Sequence, residues 1–321
     1  MMKTVFLNAA KLDFDHKLDF SPLSRLTALT CYDASSNEEI VGRVQGQNII
    51  ITKELPVGRD VISQFPSSVR LICEAGTGYN NIDIVAAREK NIAVCNIPSY
   101  STEAVAQLAI TFILNLSASL PQQQSMLERK NFANFTKYLQ VPHFELRGKT
   151  LGIVGAGAIG RQTASIALAL GMNILAYNPR PKDWTEINAR FTTLERLLEQ
   201  SDFVSLHCPL NDATRHIINK ERLELMKASA YIINTSRGAL INEADLIAAL
   251  RNKIIAGAGL DVQDPEPPEL DNPLFGMNNV IITPHIGWRR YESRQRLINL
   301  MADNIQAFVA GNPVNVVNGN S

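Results

Sequence analysis

Arg237, Glu266 and His285 each stand in a loop just after a short apolar run, at residues 231–234, 254–260 and 280–283 respectively. Their types suit one reaction. Reduction of a 2-keto acid needs a hydride donor, a proton for the developing alkoxide and a cation for the carboxylate. Arg237 offers a bidentate fork to carboxylate and keto oxygen. His285 suits acid work in reduction and base work in oxidation, because imidazoles titrate near working pH. Glu266 suits a hydrogen bond to the other ring nitrogen, which fixes the tautomer. Each residue also has a plainer use: Arg237 before Gly238 as a turn residue, Glu266 as a solvated charge, His285 packed beside Trp288. Their shared place at strand ends, behind a dinucleotide fingerprint, favours the catalytic reading. No G-x-S-x-G elbow is present and the five histidines do not cluster at ligand spacing, so neither serine-hydrolase chemistry nor a metal is expected.

That fingerprint is Gly155-Ala156-Gly157-Ala158-Ile159-Gly160, preceded by an apolar run from Leu151 and followed by a helical stripe that stops at Gly171. Gly155 lets the chain turn, Gly157 lets backbone approach a pyrophosphate, and Gly160 lets helix and strand pack closely. Amides at the helix start, from Gly157 through Ala158 and Ile159, suit the phosphates of NAD(H) or NADP(H). The next strand, at 173–178, ends in Asn178 where a ribose-binding acid usually sits. Asn178 carries no charge to repel a 2′-phosphate, and Arg180 or Lys182 could pair with one. A relaxed or NADP-leaning preference is therefore expected.

Short β-branched runs alternate with helical patterns from the first residues onward, which predicts parallel sheets with right-handed crossovers. The fold class expected is α/β, with two doubly wound parallel-sheet domains. The loop 74–81 follows a strand end directly, and its two glycines free backbone N–H groups for a small anion; an ordinary turn before a helix is the alternative. Ser101 and Glu103 open a long helix expected to stop at Pro121. It is apolar on most of its girth, so it is either core or the face of a homodimer through the 102–120 region. Residues 122–147 read as an exposed, patternless connection.

The 321 residues are 45% hydrophobic, enough for sizeable cores and two domains. Lys+Arg and Asp+Glu number 31 each, so no net charge argues for nucleic acid or an anionic membrane. The four cysteines form no C-x-x-C pair, and the start of the chain lacks a signal-peptide pattern. Cytoplasmic location is the expectation.

On LGIVGAGAIGRQTA, on LHCPLNDATRHIINKERLELMKASAYIINTSRGALINEADLIAAL, on GAGLDVQDPEPP and on ITPHIGW, the chain resembles the D-isomer-specific 2-hydroxyacid dehydrogenases. The likeness covers nearly the whole chain. YSTEAVAQ and HIGW, with Glu292, Arg294 and Arg296, are most similar to the glycerate dehydrogenase or hydroxypyruvate reductase branch. The resemblance implies a Rossmann NAD(P)-binding domain, residues 100–285, inserted into a flavodoxin-like substrate domain of residues 1–99 and 286–321. It implies Arg237 as substrate-binding residue, His285 as acid/base and Glu266 as its partner. It also implies Thr77 and Gly78 at the substrate carboxylate and Trp288 beside the substrate. Along the cofactor it implies His207, Pro209, Thr214, the Thr235 backbone, Asp261 at the carboxamide, His285 and Gly287. The implied substrate is a small 2-keto acid such as hydroxypyruvate or glyoxylate. The alternative is a dinucleotide-sensing corepressor-like binding protein of the same fold, which would keep the trio without needing turnover.

Overall fold

The computed structural model describes residues 1–180, 184 and 187–319. The chain divides into two units, Met1–Ser101 with Trp288–Ser321, and Thr102–Gly287. Tyr100 and Ser101 therefore go with the first unit, and Ile286 and Gly287 with the second.

In the first unit, strands β1 (Lys3–Phe6), β2 (Ala28–Cys31), β3 (Ile49–Thr52), β4 (Leu71–Glu74) and β5 (Ala93–Cys95) are all parallel, in the order β2-β1-β3-β4-β5. That is the flavodoxin-like order. Every residue of β3 and β4 is buried, as a sheet covered on both faces requires. The helix Ile84–Glu89 begins later than the apolar run from Ile82 suggests, because the Asp83 carboxylate accepts from the Ala86 amide at 2.8 Å and caps it. The helix Tyr291–Val309 adds Leu297, Ile298, Met301 and Ile305 to the core around Phe6 and Leu71. Beyond it the chain lies along β5. Val317 donates its amide to Val94 O at 2.8 Å, and the Asn318 side chain bonds both Val94 N and Ile92 O.

The second unit holds β6 (Thr150–Val154), β7 (Asn173–Tyr177), β8 (Ala189–Phe191), β9 (Phe203–Leu206), β10 (Tyr231–Asn234), β11 (Gly257–Leu260) and β12 (Val280–Ile282). They form one parallel sheet in the order β12-β11-β10-β9-β6-β7-β8, the doubly wound dinucleotide-binding order with one strand added. The expected class, two parallel-sheet α/β domains, is the one observed. The edge strand β8 escapes sequence reading because Ala189-Arg190-Phe191 is too short to show a period.

The helix Thr102–Ala118 packs both apolar stripes inside its own unit, against Ile153, Phe203, Tyr231 and Ile233. Only Glu103, Gln107, Thr111 and Leu114 remain exposed on it. Most of the apolar girth of this helix is therefore core, and of its apolar side chains Leu114 alone stays exposed. Pro121 does not end the helix. Ser119 turns left-handed at φ 50°, and a second helix, Leu120–Glu128, begins with Pro121 in its first turn. There the missing N–H costs nothing, since first-turn amides have no partner within the helix. Residues 122–147 are accordingly not patternless: they continue that helix and form another at Ala133–Thr136. The apolar side chains Leu120, Leu127, Phe132, Phe135 and Tyr138 are left exposed here. Among the described residues, no single helix is long and apolar enough to cross a membrane.

Candidate active site

At the end of β6 the chain turns through Gly155 at φ +106°. A Cβ there would lie 2.5 Å from Cys208 N, so glycine is required. A Cβ on Gly160 would lie 2.3 Å from Gly155 O, which shows how tightly the following helix, Ala158–Ala169, packs on the turn. Among the described residues, Gly157, the cap of that helix, has nothing within 4 Å of its would-be Cβ. Among the described residues, the amides of Gly157, Ala158, Ile159 and Gly160 donate to no acceptor. Open space before four unpaired donors at a helix start fits the pyrophosphate of a nicotinamide dinucleotide.

Asn178 ends the next strand and braces this turn. Its Oδ1 accepts from Ala156 N at 3.1 Å, and its Nδ2 donates to Arg180 O at 2.5 Å. The side chain thus does backbone work and puts no charge at the end of this strand, with Arg180 exposed beside it. Lys182 lies outside the described residues. At the end of β9, His207 Nε2 lies 2.8 Å from Ser205 Oγ, and burial drops its pKa to about 3, so the ring is neutral at working pH. Thr214 Oγ1 donates to Pro209 O at 2.6 Å and accepts from Asn211 N at 2.8 Å, which ties up the 209–214 turn. Thr235 Oγ1, just past β10, is buried and has no partner among the described residues.

The structure brings Glu266 and His285 together and sets the turn that carries Arg237 against the Glu266 loop. Glu266 Oε2 accepts from His285 Nδ1 at 2.9 Å; a carboxylate only accepts, so Nδ1 carries the proton and Nε2 is left for another partner. Glu266 Oε1 accepts from Gln263 N at 3.0 Å. Burial pushes the Glu266 carboxyl up, but the bond and charge of His285, the Gln263 amide and the Arg237 guanidinium outweigh it and hold it below the usual carboxylate range. The turn that carries Arg237 meets the Glu266 loop through a contact that sequence reasoning missed. A Cβ on Gly238 would lie 1.9 Å from Gln263 O, so the arginine turn and the Glu266 loop meet backbone to backbone. A glycine after an arginine does not by itself tell of that approach.

His285 adopts a left-handed backbone, φ +51°, and Asp261 maintains it. Asp261 O accepts from His285 N at 2.8 Å. Its carboxylate accepts from Thr283 Oγ1 at 2.6 Å, Ile286 N at 2.8 Å and Gly287 N at 2.9 Å. Burial pushes the Asp261 carboxyl up against those bonds. Asp261 therefore has a turn to hold in addition to any contact with a cofactor.

In the first unit, the loop after β4 is pinned by its carbonyls. Gly76 O accepts from Ile97 N at 2.8 Å and Thr77 O from Asn96 Nδ2 at 2.7 Å. Among the described residues, the amides of Gly76, Thr77 and Gly78 donate to no acceptor, an arrangement suited to an anion. Trp288 packs in the same unit beside Tyr100 and Leu297. Among the described residues, no three His, Cys, Asp or Glu side chains gather as metal ligands.

The family model for the D-isomer specific 2-hydroxyacid dehydrogenase NAD binding domain matches residues 110–287. A hydroxypyruvate reductase of Blautia hydrogenotrophica is 41% identical over 323 residues, covering 99% of this chain and all of that protein. A glycerate dehydrogenase of Methylorubrum extorquens is 38% identical over 87% of this chain and 88% of its own length. Among solved structures, the D-lactate dehydrogenase of Aquifex aeolicus complexed with NAD and lactic acid is 30% identical, with a TM-score of 0.86 over 99% of this chain and 100% of that one.

Proposed function

The chain belongs to the D-isomer-specific 2-hydroxyacid dehydrogenases, and from that premise we propose that it reduces hydroxypyruvate, glyoxylate or a similarly small 2-keto acid to the D-2-hydroxy acid. Membership makes it an oxidoreductase with an NAD-binding domain. The reduced nicotinamide supplies the hydride when bound. The chain's own residues do the rest. Arg237 pairs with the carboxylate and the keto oxygen, and the Thr77 and Gly78 amides take the carboxylate. His285 Nε2 gives its proton to the alkoxide oxygen, while Glu266 keeps the proton on Nδ1 and stabilises the charged ring. Trp288 borders the substrate. Residues 155–160 take the pyrophosphate, Asn178 and Arg180 lie at the adenosine ribose, and His207, Pro209, Thr214, Thr235, Asp261 and Gly287 line the cofactor. The observation that carries this reading is the 2.9 Å Glu266–His285 bond, with the Arg237 turn packed against the Glu266 loop.

The direct test follows the near-ultraviolet absorbance of NADH and NADPH with hydroxypyruvate, glyoxylate and pyruvate in turn. Turnover supports the reductase; tight dinucleotide binding with no turnover of any of them supports a sensor instead. The same assay reads cofactor choice. With Asn178 uncharged, kcat/KM with NADPH is expected to equal or exceed that with NADH, and a hundredfold preference for NADH, about 3 kcal/mol, overturns this.

A second copy of the chain is proposed to cover Leu120, Leu127, Phe132, Phe135 and Tyr138, whose exposure is costly in an isolated molecule. Sedimentation is expected to give a dimer, and Phe135→Ser with Leu127→Ser a monomer; a wild-type monomer at micromolar concentration refutes it. Cysteines that are all free, three of them buried, suit the reducing cytoplasm.

A further inference from the structure

Next to the Gly76–Gly78 loop lies a charged group that the chemistry above does not use. Lys53, directly after β3, is 1% exposed. Asn8 clamps its backbone from both sides, Nδ2 donating to Lys53 O at 2.7 Å and Oδ1 accepting from Lys53 N at 2.9 Å. Glu54 beside it is left-handed at φ 52°, with its amide bonded to Glu74 Oε1 at 2.8 Å. Glu74 is itself buried, and its Oε2 accepts from Thr52 and Asn81. All of this fixes one ammonium, which donates to Glu54 Oε1 at 2.7 Å. Burial works against that charge, but Tyr100, Glu54 and Glu74 outweigh it and hold the pKa above the ordinary lysine value.

The ammonium also faces two groups. A Cβ on Gly76 would lie 3.5 Å from Nζ, and the Trp288 ring centroid lies 4.0 Å from it. A desolvated cation over an indole face grips the ring electrostatically. Yet the buried Trp288 Nε1 has, among the described residues, no acceptor. Unpaired buried donors are rare in native proteins because each forfeits its hydration for nothing, so this one calls for an acceptor that arrives from outside.

We propose that Lys53 is a positioning residue for substrate selection: by holding the Trp288 ring, it presents the indole N–H to the oxygen on C3 of a 3-hydroxy-2-keto acid. The inference rests on the proposed place of Trp288 beside the substrate. A site that reserves a donor for a substrate hydroxyl discriminates against the analogue without one, because the donor then stays unpaired. Pyruvate, with a methyl group at C3, is that analogue of hydroxypyruvate.

The test measures kcat/KM for hydroxypyruvate and pyruvate in the wild type, Lys53→Met, Lys53→Arg and Trp288→Phe. Lys53→Met is expected to lower the hydroxypyruvate-to-pyruvate ratio about tenfold or more, chiefly through the KM for hydroxypyruvate. Trp288→Phe, which keeps a ring but deletes the N–H, lowers the ratio likewise, and Lys53→Arg recovers part of it. A merely structural role lowers both substrates together, and an unchanged ratio in Lys53→Met and Trp288→Phe overturns the proposal. Should either variant fail to fold, near-isosteric replacement of the Trp288 indole by benzothiophene gives the same readout. If the wild type reduces neither keto acid while it quenches NADH or NADPH fluorescence, the reductase reading itself falls and this inference with it. If the wild type reduces hydroxypyruvate and the variants keep its ratio, the inference alone falls.

Discussion

His285→Gln is expected to lower kcat for keto-acid reduction roughly 10²–10⁴-fold while leaving NADH or NADPH binding nearly unchanged. The carboxamide fills a similar volume and still offers Glu266 a donor, so the loop bonds at Gln263 and Glu266 are kept. What disappears is a titratable proton on the side facing away from Glu266. Without it the alkoxide must take its proton from water. Because the dinucleotide is proposed to be held mainly through the amides after Gly155, its dissociation constant reports whether the turn survived. Stopped-flow reduction together with a fluorescence titration separates the two effects. Wild-type kcat in this variant removes His285 from the reaction.

Arg237→Ala is expected to reduce kcat/KM by a hundredfold or more, since truncating one partner of a hydrogen-bonded charge pair costs about 2–5 kcal/mol. The loss should fall heavily on KM, because the guanidinium is proposed to hold the carboxylate before and during reaction. A smaller effect accompanies it: Glu266 loses one of the charges that hold its carboxyl low. Gly238→Ala provides a control that moves the guanidinium rather than deleting it. Its Cβ would stand 1.9 Å from Gln263 O, so the two loops must part, and Arg237 and Glu266 with them. Steady-state kinetics on hydroxypyruvate decide the matter, and an unchanged KM in Arg237→Ala rejects carboxylate binding by this residue.

Much of the architecture is written in local chemistry. Runs such as Ile49–Thr52 and Tyr231–Asn234 are buried on both faces, so their β-branched content is visible without any partner in view. The fingerprint at Gly155 is legible because each glycine answers a local steric demand. Other features depend on what comes near from far along the chain. The capping box at Ser36 and Glu39 was there to be read, but its helix, Asn37–Arg43, buries only Ile40 and shows no stripe. Asn178 is visible as the absence of an acid, whereas its brace to Ala156 depends on the fold of the turn. Lys53 reads as an ordinary solvated lysine after a strand. Only the approach of Asn8, Glu74 and Trp288 makes it buried.

The first unit is assembled from both ends of the chain. Its core takes Leu297, Ile298, Met301 and Ile305 from the final long helix, and β5 is bordered by Val317 and Asn318. During synthesis, residues 1–101 must therefore wait with an apolar face uncovered until residues 291–318 have left the ribosome. Thr102–Gly287 is complete before then and can fold while it waits. Residues 1–101 are in this sense made before the second unit and mature after it.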